Sequence, residues 1–205
     1  MPVPLVPVKS LAEAKGRLAP EVGPLQRRLL AIAMFEDVVA AIQAVPALEA
    51  PVVVSPDPEM WRRADAMGCR VVEEPPGAGD LNGALAAAAG VGDGSPLLVV
   101  AADLPLASAA GLERVLAAEA PVVVVPSADG AGTNVLGWRD PASFAPSFGP
   151  DSSARHLAVP GAVRVDDPGL SLDVDTVEDL RAVAGRLDPS SVTARRVGDL
   201  DMLRR

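Results

Sequence analysis

Short apolar runs, four to six residues long, recur along the first two thirds of the chain: Val3–Val8, Pro51–Ser55, Cys69–Val72, Pro96–Ala101 and Pro121–Pro126. They are rich in Val and Leu without regular polar alternation, as suits strands covered on both faces. Stretches of helical period separate them, at Pro24–Ala44, Glu59–Met67, Leu81–Ala89 and Ala109–Ala118. Buried strands that alternate with helices satisfy their apolar surface as a mainly parallel sheet with helices on its faces. An α/β fold is therefore the expectation.

Gly, Pro and Ser interrupt the rhythm between Asp129 and Pro150, around one apolar stretch, Thr133–Trp138. This region reads as an irregular insertion with a strand, placed where a ligand would be enclosed. Regularity returns with a short helix at Ser152–Ala158, strands at Ala162–Val165 and Ser171–Val174, and a helix at Thr176–Leu187. No repeat or long linker divides the chain, so residues 1–187 read as a single domain and 188–205 as a polar tail.

At 205 residues and 49% hydrophobic content, such a domain can bury a substantial core. The formal net charge is −9, no basic run is present, and there are two Trp, three Phe and no Tyr. Phosphate-tracking stripes and base-stacking platforms are missing, which argues against a nucleic-acid partner. No apolar run is long enough to span a bilayer and no signal peptide opens the chain, so a cytoplasmic protein with no membrane partner is expected. Cys69 is the single cysteine and reads as a small buried thiol at a strand start.

Of 18 basic residues only Lys9 and Lys15 are lysines, and both follow the first predicted strand. Ligands of open α/β sheets sit beyond the carboxyl ends of the strands, where Lys9, Lys15 and Arg17 would place three cations. A triphosphate and its pyrophosphate leaving group require such charges; a solvated loop is the alternative. Leu97–Ala102 ends in Asp103-Leu104-Pro105, a carboxylate at the end of a buried strand, where Mg²⁺ ligation is favoured over helix capping. Asp173 and Asp175, two apart on the predicted strand, would project to one side and share a cation with hard oxygen ligands. Either Asp175 or Thr176 would otherwise cap the following helix.

The turn Gly77-Ala78-Gly79-Asp80-Leu81-Asn82-Gly83 lacks the spacing of a dinucleotide fingerprint, yet offers backbone amides and polar side chains to a base or ribose. Thr133, Gly149 and Ser152 supply hydroxyls and a backbone amide suited to a second small anion, with Arg155 adding charge. His156, the sole histidine, has no Ser/His/Asp or zinc arrangement around it and reads as structural or as support for neighbouring groups.

Together these segments resemble the guanylyltransferases of coenzyme F-420 biosynthesis, within the nucleotidyltransferase superfamily that also contains the molybdenum-cofactor guanylyltransferases. The matching pieces run in the family order: Pro7-Val8-Lys9 with Lys15-Gly16-Arg17-Leu18, Asp80-Leu81-Asn82, Asp103-Leu104-Pro105, Gly132-Thr133, Phe148 to His156, and Asp173-Val174-Asp175-Thr176. The superfamily's fuller glycine-rich opening is reduced here to Pro7-Val8-Lys9-Ser10. The resemblance implies a three-layer, doubly wound, mostly parallel sheet of the Rossmann-like nucleotide-diphospho-sugar-transferase architecture. It implies Mg²⁺ as cofactor, GTP as donor, and phosphoenolpyruvate or 2-phospho-L-lactate as acceptor, with the product handed to the next enzyme of the F-420 pathway.

By the same resemblance, Asp103, Asp173 and Asp175 hold metal, and Thr133, Gly149 and Ser152 hold the phosphorylated acid. Lys9 and Lys15 act catalytically, and with Arg17, Asp80 and Asn82 they contact the nucleotide. The Thr133 and Phe148–His156 blocks argue against a molybdenum-cofactor enzyme. The three retained aspartates argue against a non-catalytic nucleotide-binding regulator, and the missing fingerprint after the first strand against an NAD-binding oxidoreductase.

Overall fold

The computed structural model describes residues 1–12, 15–74 and 80–200. Its centre is a seven-stranded sheet of β1 (Val3–Pro7), β2 (Val52–Ser55), β3 (Arg70–Glu73), β4 (Leu97–Val100), β5 (Val122–Pro126), β6 (Thr133–Trp138) and β7 (Val163–Arg164), in the order β3-β2-β1-β4-β6-β5-β7. Neighbouring strands are parallel except where β6 runs antiparallel to both β4 and β5. That reversal sets Thr133, the first residue of β6, at the edge where the parallel strands end.

The expected burial of both faces is realised in the five inner strands β1, β2, β4, β5 and β6, whereas the edge strands β3 and β7 are largely exposed. Val6, Val53, Leu98, Val100, Val123 and Val135 pack with Phe35, Ile42, Met60 and Leu112 on one side. Leu5, Val52, Val54, Leu97, Val99, Val122, Val124 and Leu136 pack with Ala84 and Leu85 on the other. Successive strand residues point to opposite faces, so an unbroken Val/Leu run feeds both cores. The helices contributing to the first face are α1 (Pro24–Gln43), α2 (Pro58–Ala66) and α4 (Ala109–Leu116); α3 (Leu81–Ala88) and α5 (Ser152–Leu157) cover the second. Three layers result.

A third cluster extends the fold beyond the expected domain. Leu18, Leu30 and Met34 pack against α6 (Val177–Ala184) through Val177, Leu180 and Val183, and against α7 (Val192–Gly198) and the next turn through Val197 and Leu200. The segment after Leu187 thus contributes side chains to a core. Among the described residues no helix is long and apolar enough to cross a membrane.

One predicted element does not form. Residues 171–175, expected to include a strand, join no ladder. Val174 is instead buried in the third cluster and donates its N–H to the Asp103 carbonyl at 3.1 Å. A single backbone bond of this kind docks the segment beside β4's exit without extending the sheet.

Candidate active site

The loop after β1 is fixed before its cations are placed. Val8 N–H donates to the Val54 carbonyl at 2.9 Å, and Leu11 N–H to Asp57 Oδ2 at 2.9 Å. Asp57 also caps α2 by accepting from Glu59 N–H, so one carboxylate ties the loop to a helix start. Lys15 then takes a left-handed backbone with φ 53°, a conformation uncommon for a side-chain-bearing residue. Its side chain, only 10% exposed, turns inward.

There Lys15 Nζ lies 2.5 Å from Asp103 Oδ2 and 3.1 Å from Asp175 Oδ1. Burial pulls the ammonium's pKa down, but the two carboxylate charges outweigh it and hold the pKa above the ordinary lysine value. Arg17 Nη1 adds a longer contact of 3.7 Å to Asp175 Oδ2 and is 76% exposed. Lys9 is exposed beyond the end of β1. Glu13 and Ala14, between the two lysines, lie outside the described residues, as do Gly77, Ala78 and Gly79 of the expected nucleotide turn.

Asp173 completes the acidic set from a different direction. Asn134, buried next to Thr133 at the start of β6, donates from Nδ2 to Asp173 Oδ1 at 3.1 Å and to the Leu170 carbonyl at 3.0 Å. Burial, then the nearby charges of Asp103 and Asp175, raise the Asp173 carboxyl above the usual range, although the Asn134 bond pulls the other way. Asp173 Oδ1 thus meets Asn134, while Asp175 Oδ1 meets Lys15. Among the described residues, no three His, Cys, Asp or Glu side chains are grouped to hold a metal ion. The donor chemistry nonetheless fits a hard divalent cation. Two carboxylates already converge on one positive charge, and the pKa of the third is raised by burial first and by their charges second.

Thr176, not Asp175, caps α6. Its hydroxyl accepts from Asp179 N–H at 3.2 Å while Asp179 Oδ2 accepts from Thr176 N–H at 2.8 Å, a reciprocal box that leaves Asp175 to Lys15.

The second cluster lies between β6, α5 and the loop before α5. Thr133 Oγ1 is 3.0 Å from His156 Nδ1, and Ser147 N–H donates to His156 Nε2 at 2.9 Å. Gly149 has φ 119°, where a side chain would be strained, and its carbonyl accepts from Ser152 N–H at 3.1 Å. Ser152 is buried, and Ser153 N–H donates to the Ala131 carbonyl at 3.1 Å, closing the loop before β6 onto α5. The three residues expected to hold an acid are thereby linked through one hydrogen-bonded unit.

Three further side chains of these segments make local contacts. Arg155 turns its guanidinium onto the carbonyls of Ser147 and Pro150 and so braces the loop. Asn82 Nδ2 donates to the Phe148 carbonyl at 3.1 Å while its Oδ1 accepts from Phe148 N–H at 2.6 Å, clamping that loop to α3. Asp80 Oδ1 accepts from Gly83 N–H at 3.0 Å as the α3 cap. Asn134 and Asp57, the residues that hold Asp173 and the lysine loop, were not anticipated. A buried Asn beginning an otherwise apolar strand was the available signal for the first.

Sheet order and acidic edge together define an α/β fold of the nucleotide-diphospho-sugar-transferase type. A proposed nucleotide-diphospho-sugar transferase from Desulfovibrio desulfuricans G20 has the same fold, with a TM-score of 0.78 at 18% identity over 99% of this chain and 97% of that one. Within that class, the chain belongs to the family described as Guanylyl transferase CofC like, whose model matches residues 3–185. It is 45% identical to the phosphoenolpyruvate guanylyltransferase of Streptomyces avermitilis, over 87% of this chain and 86% of the relative. It is 44% identical to the enzyme of that name from Nocardia farcinica, over 87% and 84%.

Proposed function

We propose that this protein transfers GMP from GTP to phosphoenolpyruvate, giving enolpyruvoyl-2-diphospho-5'-guanosine and pyrophosphate, in the cytoplasm and for the next enzyme of F-420 biosynthesis. The observation that carries this reading is the pair of adjoining clusters at one sheet edge. Lys15 with Asp103 and Asp175 suits a triphosphate, and Thr133 with its His156–Ser147 support suits a second anion. Consecutive residues of β6, Thr133 and Asn134, connect them.

Lys9, Lys15 and Arg17 would bind the triphosphate. Lys15 keeps Asp103 and Asp175 compensated until GTP competes for its ammonium. Asp103, Asp173 and Asp175 would hold Mg²⁺, which when bound supplies positive charge to the triphosphate and the attacking phosphate. Thr133, Gly149 and Ser152 would orient the acid so that a phosphate oxygen stands in line with the α-phosphorus. A P–O–P anhydride forms to that oxygen, the α–β anhydride breaks, and pyrophosphate leaves with the electron pair. The attacking oxygen is ionised at neutral pH, so no general base is required. Asp80, with Oδ1 given to its helix, would meet the nucleotide through Oδ2, and Asn82 would act by holding the Phe148 loop.

Pyrophosphate release should be measured with GTP, ATP, CTP and UTP, each against phosphoenolpyruvate and 2-phospho-L-lactate. Release is expected only with GTP and phosphoenolpyruvate together, and Asp103→Asn should reduce it more than tenfold, over about 1.4 kcal/mol of barrier. Acid-independent release, or a preference for another nucleotide, would overturn the reading.

A further inference from the structure

His156 is the only histidine of the chain, is 1% exposed within α5, and takes no part in the phosphoryl chemistry above. Its two ring nitrogens have unlike partners. A backbone N–H can only donate, so the bond from Ser147 N–H requires a lone pair on Nε2 and therefore a neutral ring with its proton on Nδ1. Nδ1–H then donates to Thr133 Oγ1. A threonine hydroxyl that accepts from the ring keeps its own proton for another acceptor. Thr133 is buried beside Asn134 at the acidic sheet edge, so the acceptor that suits this proton is an anion bound there.

The surroundings enforce the neutral ring. Burial, then the adjacent Arg155 charge, push its pKa down to about 4. Phe148 packs against the ring with centroids 5.1 Å apart and an interplanar angle of 67°, and Asn82 holds Phe148's backbone in place. A proton on Nε2 would face the Ser147 N–H and break the connection to the loop that carries Gly149.

We propose that His156, as the neutral Nδ1–H tautomer, is the positioning residue of the acceptor pocket: it turns the Thr133 hydroxyl into a donor toward the acid and ties the Ser147–Gly149 loop to it. This rests on the assignment of Thr133 to the acid.

With one histidine, the long-range ¹H–¹⁵N spectrum of the imidazole is free of overlap in the intact wild-type protein. It should show Nδ1 protonated and Nε2 bare between about pH 5.5 and 8; the opposite tautomer, or an imidazolium at pH 6, overturns the proposal. Kinetics supply the second arm. In His156→Gln the side-chain amide can still accept from Ser147 but no longer donates at the Nδ1 position. In His156→Asn the amide can donate to Thr133. The Gln variant should raise the KM for phosphoenolpyruvate about tenfold and leave the KM for GTP unchanged, and the Asn variant should raise it less.

Thr133→Val separates the two levels of inference. If Thr133→Val raises the acid KM and His156→Gln does not, the positioning role alone fails. If Thr133→Val leaves it unchanged, the acid pocket fails, and with it the role of His156. The double variant should be no worse than Thr133→Val, because both changes act through one hydroxyl. Independent, multiplicative losses would assign His156 a separate, merely structural effect.

Discussion

At the scale of single residues, burial without a compensating charge decides how His156 behaves, and this has a consequence for stability. Its folded pKa of about 4 lies below the ordinary value of 6.5. Between those values the unfolded chain binds more protons than the folded one, so stability rises with pH across this window and is lost as pH falls from about 6.5 toward 4. Asp173 acts in the opposite sense, since its raised pKa lets the folded state hold a proton more readily. The difference between wild type and His156→Gln isolates the histidine. Urea unfolding at intervals from pH 7 to 4 should show a steeper loss in the wild type, and parallel curves would contradict the buried neutral ring. The sequence revealed that His156 had no catalytic neighbours, but not what it would touch. Its partners, Thr133 and Ser147, are brought to it by β6 and a loop, and no local spacing encodes that meeting. Cys69 was legible because a short apolar strand start needs nothing beyond its own sequence: the residue is buried, and burial pushes its thiol up to about 11.

At the scale of elements, alternating Val/Leu runs and helical stretches made seven strands and the main helices readable to within a few residues. For the five inner strands the reason is that burial on both faces leaves little choice of pattern; the exposed edge strands β3 and β7 are readable from their short apolar runs alone. Residues 171–175 show where this reasoning ends. Their apolar–acidic alternation looks like a strand, but their backbone joins no ladder, and Val174 is buried beside α6. Alternation reports which residues are inside; pairing partners come from the rest of the chain. The capping box at α6 follows this segment directly and sets its exit. Thr176→Ala removes the hydroxyl that accepts from Asp179 N–H, and should cost about 1 kcal/mol in denaturant unfolding with little change in slope. Since Asp175 is the preceding residue and is held by Lys15, the variant should keep the native circular-dichroism spectrum. A loss below about 0.3 kcal/mol would mean that packing of Val177 and Leu180 alone fixes the helix start.

At the scale of the whole molecule, two long-range links hold the site edge and the last helix to the same scaffold. Val174 N–H to the Asp103 carbonyl joins the acidic segments across 71 positions of sequence (174 minus 103). Asp37, on α1, accepts from Val192 N–H and Thr193 N–H at 2.8 Å each, capping α7 across 155 and 156 positions. The sequence displayed the carboxylates and lysines of the site but not these links, because each depends on a sheet order that places β1 beside β4 and carries α6 and α7 back over α1. A polar composition made residues after 187 read as a tail, although Val197 and Leu200 are buried against Leu30 and Met34. Asp37 gives a way to measure that attachment without touching the proposed chemistry. Asp37→Ala takes two charge-assisted acceptors from the first turn of α7, where the free N–H groups of a helix are otherwise unsatisfied. The loss should be about 1 kcal/mol, equivalent to roughly fivefold faster amide exchange at positions 192–198. Exchange in β1 and β4 should stay slow, and the kinetic constants for GTP and acid should remain those of the wild type. If amides of α7 exchange at unchanged rates, apolar packing through Val197 and Leu200 holds the helix without the cap. If β1 and β4 accelerate together with α7, the chain opens as one cooperative unit and the last helix is integral to its global stability.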